Sequence, residues 1–571
     1  MRYTIDYKIP QTHFINLRIE TKSTEDEEYT NLQLPAWRPG RYQLGNFAKN
    51  IRNFRAYSET REPLQVRKQS KDLWRVDTSG VKNFYVEYEF FAHKMDAGSS
   101  WLDEEQLYIN PVNCCMYVPD REPEGHELRV VVPDSYRIAC GMKETGRGVF
   151  IAKDFQELAD SPLMASDKLT EWTYNEGDTE YHLWFMGQYL PEKEKTIEIF
   201  RDFTEAQTNI MGPLPIKDYH FMFQILPYRH YHGVEHRTST VITLGPDTEI
   251  RTDALYKHFV GVSSHELFHA WNVCRLRPAE LFPYDFSKEA YFDTGFIAEG
   301  VTTYYGDLFL ARSGFFKASE YIDELNANLK RFGMHYAGRN TTLADSSYDL
   351  WLDGYEAGVP DRKMSIYNEG ALAALTLDLL IRKKTKNSAS LDTVMVELYN
   401  KFAGTGYGYT ADDYREVAER ITGESLKQYF DDFIYGAFPL DEYLPALLDG
   451  MGLTLEKIEE STYDYSHRFG FRLGKRDDEG KVSHIAPDST GEKLLSLGDK
   501  IVAVNGRKFG KENDLNFFRG NLTLTVFRNE VLKTVDLREE GKVYYGYMKI
   551  GLKEEATGEE LQRMKRWLRG N

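Results

Sequence analysis

Cysteine is scarce in this chain: Cys114, Cys115, Cys140 and Cys274 are the only four among 571 residues. None has CxxC or zinc-knuckle spacing, which leaves no basis for a disulfide framework or a cysteine-ligated zinc site. No run of about 18 apolar residues occurs, so no membrane-spanning helix is expected. The opening MRYTIDYKIPQTHF alternates polar and apolar residues like a strand and has no basic segment followed by an apolar one. It does not read as a signal peptide; a cytoplasmic enzyme is the default expectation, with a leader already removed as the alternative. Positive charge is also short. Lys and Arg number 71 against 89 Asp and Glu, a formal net charge of −18, and no compact basic stripe offsets it. Such a surface repels phosphate backbones, so nucleic acid is not an expected partner.

What is present suits a folded, multidomain protein. A hydrophobic fraction of 41% and an aromatic fraction of 14% are enough for sizeable cores. A chain of 571 residues is too long for one core, so about three domains are expected. Residues 1–175 read as β-structure, with alternating runs such as YTIDYKI, FINLRIE and FYVEYEFFA between turn clusters. Residues 176–455 begin with a few strands and continue in segments of helical period, at roughly 252–274, 288–313, 317–333, 363–385, 390–403 and 411–421, with Thr252 and Asp253 as N-cap candidates. Residues 456–540 return to short strands around one small helix. In the tail, 541–571, a strand-like KVYYGYMKIGL precedes a basic amphipathic helix at 557–569. The expected class is multidomain α+β.

The chemistry concentrates at His265-Glu266-Leu267-Phe268-His269. On a helix, residues i and i+4 share a face one turn apart, so two imidazoles can grip one ion. Glu266 points into the same pocket and can reach a water on that ion, whose pKa zinc lowers towards about 7. With 14 His in the chain, a chance HExxH has a probability of about three in a hundred. The plain alternative is a helix whose two histidines cap or pack. A catalytic zinc takes three protein ligands and keeps a fourth position open. Glu299, in FIAEGVTTYYGDLFL on the next long helix, has apolar flanks that make an uncompensated carboxylate costly. A divalent cation compensates it, so one Zn(2+) per chain on His265, His269 and Glu299 is the expected cofactor.

Five separated motifs then become familiar: LPAWRPGRYQLGNFAKNI, HGVEHRTST, SHELFHAWNVCRLRP, AEGVTTYYGDL and SIYNEGALAALTLDLLIR. In this order they resemble the PDZ-containing glycyl aminopeptidase family of zinc peptidases, gluzincins related to thermolysin and aminopeptidase N. The resemblance runs nearly end to end. It implies an N-terminal β-sandwich-like domain, a thermolysin-like and mainly helical catalytic domain, and a C-terminal PDZ domain. It also implies that Glu235 in HGVEH binds the substrate's α-amino group, that Gly233 lets the substrate backbone approach, and that Tyr367 in YNEGAL donates to the oxyanion.

The chain departs from the family pattern at His232, where a second glycine is usual, and at Cys274, Phe296 and Glu369, where lysine, tryptophan and lysine are common. These put the preference for N-terminal Gly or Ala in doubt. Thermolysin-like enzymes also place an acid four residues after the Glu ligand to orient a zinc-bound histidine. That position is Thr303, so the orienting group lies elsewhere. His230, His232 and His236 are read as strand and loop residues rather than as a second metal site.

RFGF at 468–471 and the following VSHIAPDSTGEKLLSLGDKIVAVNG look like a PDZ domain. Phe469, Gly470 and Phe471 would form the loop that receives a peptide C-terminus; the alternative is a module that only packs on its neighbour. The leading function is a zinc aminopeptidase acting on peptides with small N-terminal residues. A zinc endopeptidase of the same chemistry and a non-catalytic peptide-binding scaffold are the alternatives.

Overall fold

The structure is a computed structural model that describes residues 1–23, 27–356, 358–458, 464–474 and 480–569. Parts of the expected 456–540 module, at 459–463 and 475–479, lie outside the described residues.

The alternation at the start of the chain forms strands. Arg2–Tyr7 pairs antiparallel with Phe14–Lys22, Tyr3 opposite Ile19 and Ile5 opposite Leu17, so one face of the hairpin is fully apolar and buried. Among the described residues this pair is the middle of an eight-stranded sheet, flanked by His126–Val130 on one side and Asn83–Phe91 on the other. Two smaller sheets complete the β-rich N-terminal part.

One stretch leaves this layer. After strand Tyr29–Gln33 the chain crosses to the middle of the molecule, where Ala36 N–H donates to Phe286 O at 2.7 Å and the Trp37 indole donates to Asp285 O at 2.8 Å. Trp37 is fully buried in the core of the middle part, not in that of the N-terminal sheets.

The middle part opens with a mixed sheet of Thr170–Glu176, Thr179–Met186, Asp218–Ile225, Ser239–Gly245 and His230–Glu235, in that spatial order. Its first strand begins at Thr170, ahead of the expected boundary near 175. His230–Glu235 is the edge strand and faces the helices that follow.

Helix Asp253–Phe268 is capped by the Thr252 hydroxyl, which accepts from Leu255 N–H. It stops short of the expected 274. Val273 takes a positive φ of 102° and Cys274 N–H turns back to His269 O, which folds the chain away from the helix axis. The expected helix at 288–313 starts later, at Phe296, as a π-helical turn, Phe296–Val301, running into Thr302–Arg312. Ala318–Phe332, Asn368–Lys384, Leu391–Phe402 and Ala411–Thr422 follow within a few residues of expectation.

Strand Leu453–Ile458 leaves this body and Tyr547–Leu552 returns antiparallel beside it. Between them lies a small unit with its own core of Phe469, Phe471, Val482, Ile501, Leu524 and neighbours. The last helix, Gly558–Arg569, docks by Trp567, whose indole donates to Tyr304 OH at 2.9 Å. The architecture is multidomain α+β, and no helix among the described residues is long and apolar enough to cross a membrane.

Candidate active site

His265 and His269 end one helix, and Glu299 lies in the π-helical turn packed against it. The three side chains converge. His265 Nε2 and His269 Nε2 are 3.1 Å apart, and Glu299 Oε2 is 3.3 Å from His269 Nε2 and 3.8 Å from His265 Nε2. Ligands about 2.1 Å from a tetrahedral zinc stand about 3.4 Å from one another, so the triangle has the size such an ion requires. A π-helical turn widens the helix by one residue and is a common device at functional sites.

The electrostatics also fit a cation. Burial pushes the Glu266 carboxyl well up, with Glu235 and Glu299 adding to the shift against the pull of His269. Its Oε2 is buried with no hydrogen-bond partner. Burial disfavours a charged His269, yet Glu299, Glu235 and Glu266 together raise it to about 10. Three carboxyl groups thus crowd one imidazole in a buried site, where a divalent ion would offset the cost of ionising them.

His269 is oriented by its other nitrogen. Nδ1 is 2.9 Å from Asn272 O and 3.5 Å from Thr302 Oγ1, so the Nδ1–H donates to a backbone carbonyl and Nε2 is left for a metal. The Asn272 amide in turn donates to Ile297 O, Ala298 O and Thr302 Oγ1, tying the turn after the first helix to the Glu299 segment. This is the orienting group that spacing did not supply. Thr303, where an acid is usual, has a buried hydroxyl without a partner.

The edge strand brings Glu235 and Gly233 to the same place. A Cβ on Gly233 would lie 2.0 Å from Glu266 Oε1, so the space above that glycine is taken by the Glu266 carboxylate. Glu235 is 6% exposed, its carboxyl raised by burial and by Glu299 against His269. Gly40, at φ +74°, comes from the crossing loop of the N-terminal part, and a Cβ there would lie 2.5 Å from Glu235 Oε2. Tyr367, at the start of helix Asn368–Lys384, is held well above the usual tyrosine range by burial and by the Glu299 charge.

One cleft of about 570 Å³ is lined by Gly233, Glu235, His265, Glu266, His269, Glu299 and Tyr367 together with Gly40. Lys257, Asp307, Glu324 and Arg331 line it as well. Of these, Gly40 sat inside a quoted motif without a role, and the four charged residues carried no local signal. Tyr355, whose hydroxyl accepts from Tyr42 N–H at 3.2 Å, carries no local signal either; its partner is 313 residues away.

The departures from the family pattern find local partners. His232 faces Arg38, 3.5 Å from Nη2, and burial and that charge push it down to about 3. Glu369 is fully buried, accepts from Ser365 N–H and pairs with His335. Cys274 packs on Val273 and Ala298.

Phe469, Gly470 and Phe471 lie outside this cleft, in the C-terminal unit. Gly470, at φ +69°, ends the short helix Tyr465–Phe469, and its N–H is given to Ser466 O at 2.9 Å. Phe469 and Phe471 are buried, and Phe471–Leu473 pairs with Val482–Ile485.

Residues 2–167 match the peptidase M61 N-terminal domain, and residues 258–373 match the M61 glycyl aminopeptidase domain, which spans both histidines, Glu299 and Tyr367. These two stretches are thus similar to the two domains of the M61 glycyl aminopeptidase family. It is accordingly a metallopeptidase, a hydrolase of peptide bonds.

No curated protein matches the chain. Among solved structures it shares its fold with an aminopeptidase N family protein from Idiomarina loihiensis, at 24% identity and TM-score 0.89 over 99% of each chain. An M1 zinc metallopeptidase from Deinococcus radiodurans, bound to a Tyr-Ser-Ala substrate, aligns at 15% identity and TM-score 0.46 over 76% of this chain and 92% of its own. The same Deinococcus radiodurans enzyme in another structure aligns at 14% identity and TM-score 0.47, over 76% and 94%.

Proposed function

We propose that the chain is a zinc aminopeptidase that removes small residues, Gly or Ala, from peptide N-termini. The observation that carries this reading is the buried Glu235 carboxyl, which Gly40 abuts and whose ligand atom lies within 4.8 Å of those of Glu266 and His269. A buried carboxylate beside the proposed metal ligands suits an α-ammonium group.

His265 Nε2, His269 Nε2 and Glu299 Oε2 would hold one zinc ion. When bound, zinc polarises a carbonyl and lowers the pKa of water towards about 7. Glu266 takes the proton from the attacking water and hands it to the departing amine; the lack of any partner on its Oε2 leaves that oxygen free for the task. Tyr367 donates its hydroxyl proton in a hydrogen bond to the oxyanion of the tetrahedral intermediate. Glu235 pairs the α-ammonium and so fixes which bond reaches Glu266. Gly233 keeps the strand thin enough for the Glu266 side chain to lie across it.

The remaining expectations belong to the same proposal: a β-rich domain over 1–175, the peptidase domain over 176–455, a PDZ-like module over 456–540 and a tail over 541–571. In that module the segment around Phe469, Gly470 and Phe471 would receive a peptide C-terminus. The Gly470 N–H spent on Ser466 O leaves fewer amides for a carboxylate than an open loop would have.

The test compares alanyl peptides with free and acetylated N-termini. The aminopeptidase reading requires the acetylated peptide to be cut at least about 100-fold more slowly, the worth of a buried charge-assisted pair. Equal rates would make the enzyme an endopeptidase.

A further inference from the structure

The basic amphipathic helix at the end of the chain plays no part in the chemistry above, yet it walls a cavity rich in cations. Helix Gly558–Arg569 buries Glu560, Trp567 and Leu568, and Arg312 Nε donates to Trp567 O at 3.3 Å. Its Glu559, Gln562, Arg563 and Arg566, spaced i, i+3, i+4 and i+7, form another face. That face closes a cavity of about 410 Å³ against the end of helix Asn368–Lys384 and against Leu440–Asp449.

The lining is divided by chemistry. Leu379, Leu447 and Met451 supply an apolar wall. Lys383, Lys386, Arg563 and Arg566 supply four cations against the one carboxylate of Glu559, in a chain whose net charge is −18. Glu559 lies 3.5 Å from Arg563, whereas Lys383, Lys386 and Arg566 have no ion pair among the described residues. Like charges gathered without partners raise the energy of the free protein and lower it again when an anion enters.

A second observation is independent of the charge count. Asn387 and Arg382 line the same cavity and are 3% and 2% exposed. Arg382 Nη1 donates to Asn387 Oδ1 at 3.1 Å, which fixes the amide. Asn387 Nδ2 is then left buried without a hydrogen-bond partner, whereas Arg382 Nη2 faces the Asp392 carboxylate at 3.9 Å. An orphan donor of this kind is rare in folded proteins and calls for an acceptor.

We propose that this seam is a binding site for a small phosphate-bearing anion, gripped by Lys383, Lys386, Arg566 and Asn387 at the junction of the C-terminal helix and the Tyr367 helix. A single carboxylate would leave most of the charge unmatched, whereas a di- or trianion matches the net three positive charges of the rim. The cavity lies within the size range of small-molecule sites. The source is either an inorganic polyphosphate or a nucleotide whose base lies on the apolar wall.

The test is calorimetric titration of the full-length, zinc-loaded protein at low salt, with sodium pyrophosphate and with ADP as probes. The site requires binding of at least one probe, and at least tenfold weakening in the double variant Lys383→Glu/Arg566→Glu, whose changes are both on the surface. Tighter binding of ADP assigns the nucleotide, and equal or tighter binding of pyrophosphate assigns the inorganic anion. The control Lys217→Glu, an exposed cation elsewhere, must leave binding unchanged. Absence of binding by both probes at millimolar concentration, or binding indifferent to the double reversal, overturns the proposal.

Discussion

Gly300 and Gly370 meet backbone to backbone: a Cβ on Gly300 would lie 2.4 Å from Gly370 Cα, and one on Gly370 would lie 2.7 Å from Gly300 Cα. Gly300 follows Glu299 in the π-helical turn, and Gly370 is in the first turn of the helix that Tyr367 precedes. The contact sets the distance between the proposed third metal ligand and the proposed oxyanion donor. Neither glycine stands in a left-handed conformation, so it is space and not φ that requires them.

Gly300→Ala should therefore push these two segments apart. The expected result is folded protein with zinc affinity reduced tenfold or more, within the range seen when a metal's supporting residues are altered. Zinc titration against a competing chelator measures it; wild-type affinity would show that the contact does not position Glu299.

Gly233→Ala places a methyl 2.0 Å from Glu266 Oε1. Because Glu266 Oε1 is the far end of a flexible side chain, the carboxylate is the group that yields. We expect kcat to fall about 100-fold or more, the usual worth of general acid–base catalysis, while bound zinc stays at the wild-type level. A variant with full kcat would contradict the place given to Glu266.

Tyr367→Phe removes one hydroxyl at the cleft. If that hydroxyl meets the oxyanion only in the transition state, kcat should fall about 100- to 1000-fold with KM nearly unchanged. A rise in KM alone would make Tyr367 a substrate-binding residue.

A pH prediction follows from His335 and Glu369, 2.9 Å apart. Burial works against a charged His335, but the Glu369 hydrogen bond and charge prevail and raise its pKa. The folded state therefore holds this proton more tightly than the unfolded chain. Its stabilisation is full below the unfolded value of about 6.5 and is lost as pH rises through the higher folded value. The Tm gap between wild type and His335→Gln should be widest near about pH 5.5 and narrow by about pH 9. A gap that widens with pH would contradict the assignment.

Much of the His265–His269–Glu299 triangle was legible in the sequence. His265 and His269 are one turn apart on a periodic segment, and Glu299 stands out as a charge among apolar neighbours. The β-rich start and the helical middle were legible from their periods of 2 and 3.6. Other features depend on contacts no local pattern carries. The stop at Phe268 needed the turn at Val273, whose surroundings still look helical. The π-helical turn at Glu299 adds one residue without changing composition. Asn272 acts through its backbone carbonyl, which any residue possesses. Gly40 reaches Glu235 from another part of the chain, so its role was invisible until the fold joined them.

The most direct test of the account is hydrolysis of glycyl- and alanyl-p-nitroanilide by wild type and Glu266→Gln, with zinc measured on the same samples. The account predicts bound zinc in both proteins, cleavage by wild type, and loss of at least about 100-fold in the variant. Zinc-loaded wild type that cuts neither substrate, or a Glu266→Gln enzyme as active as wild type, would contradict it.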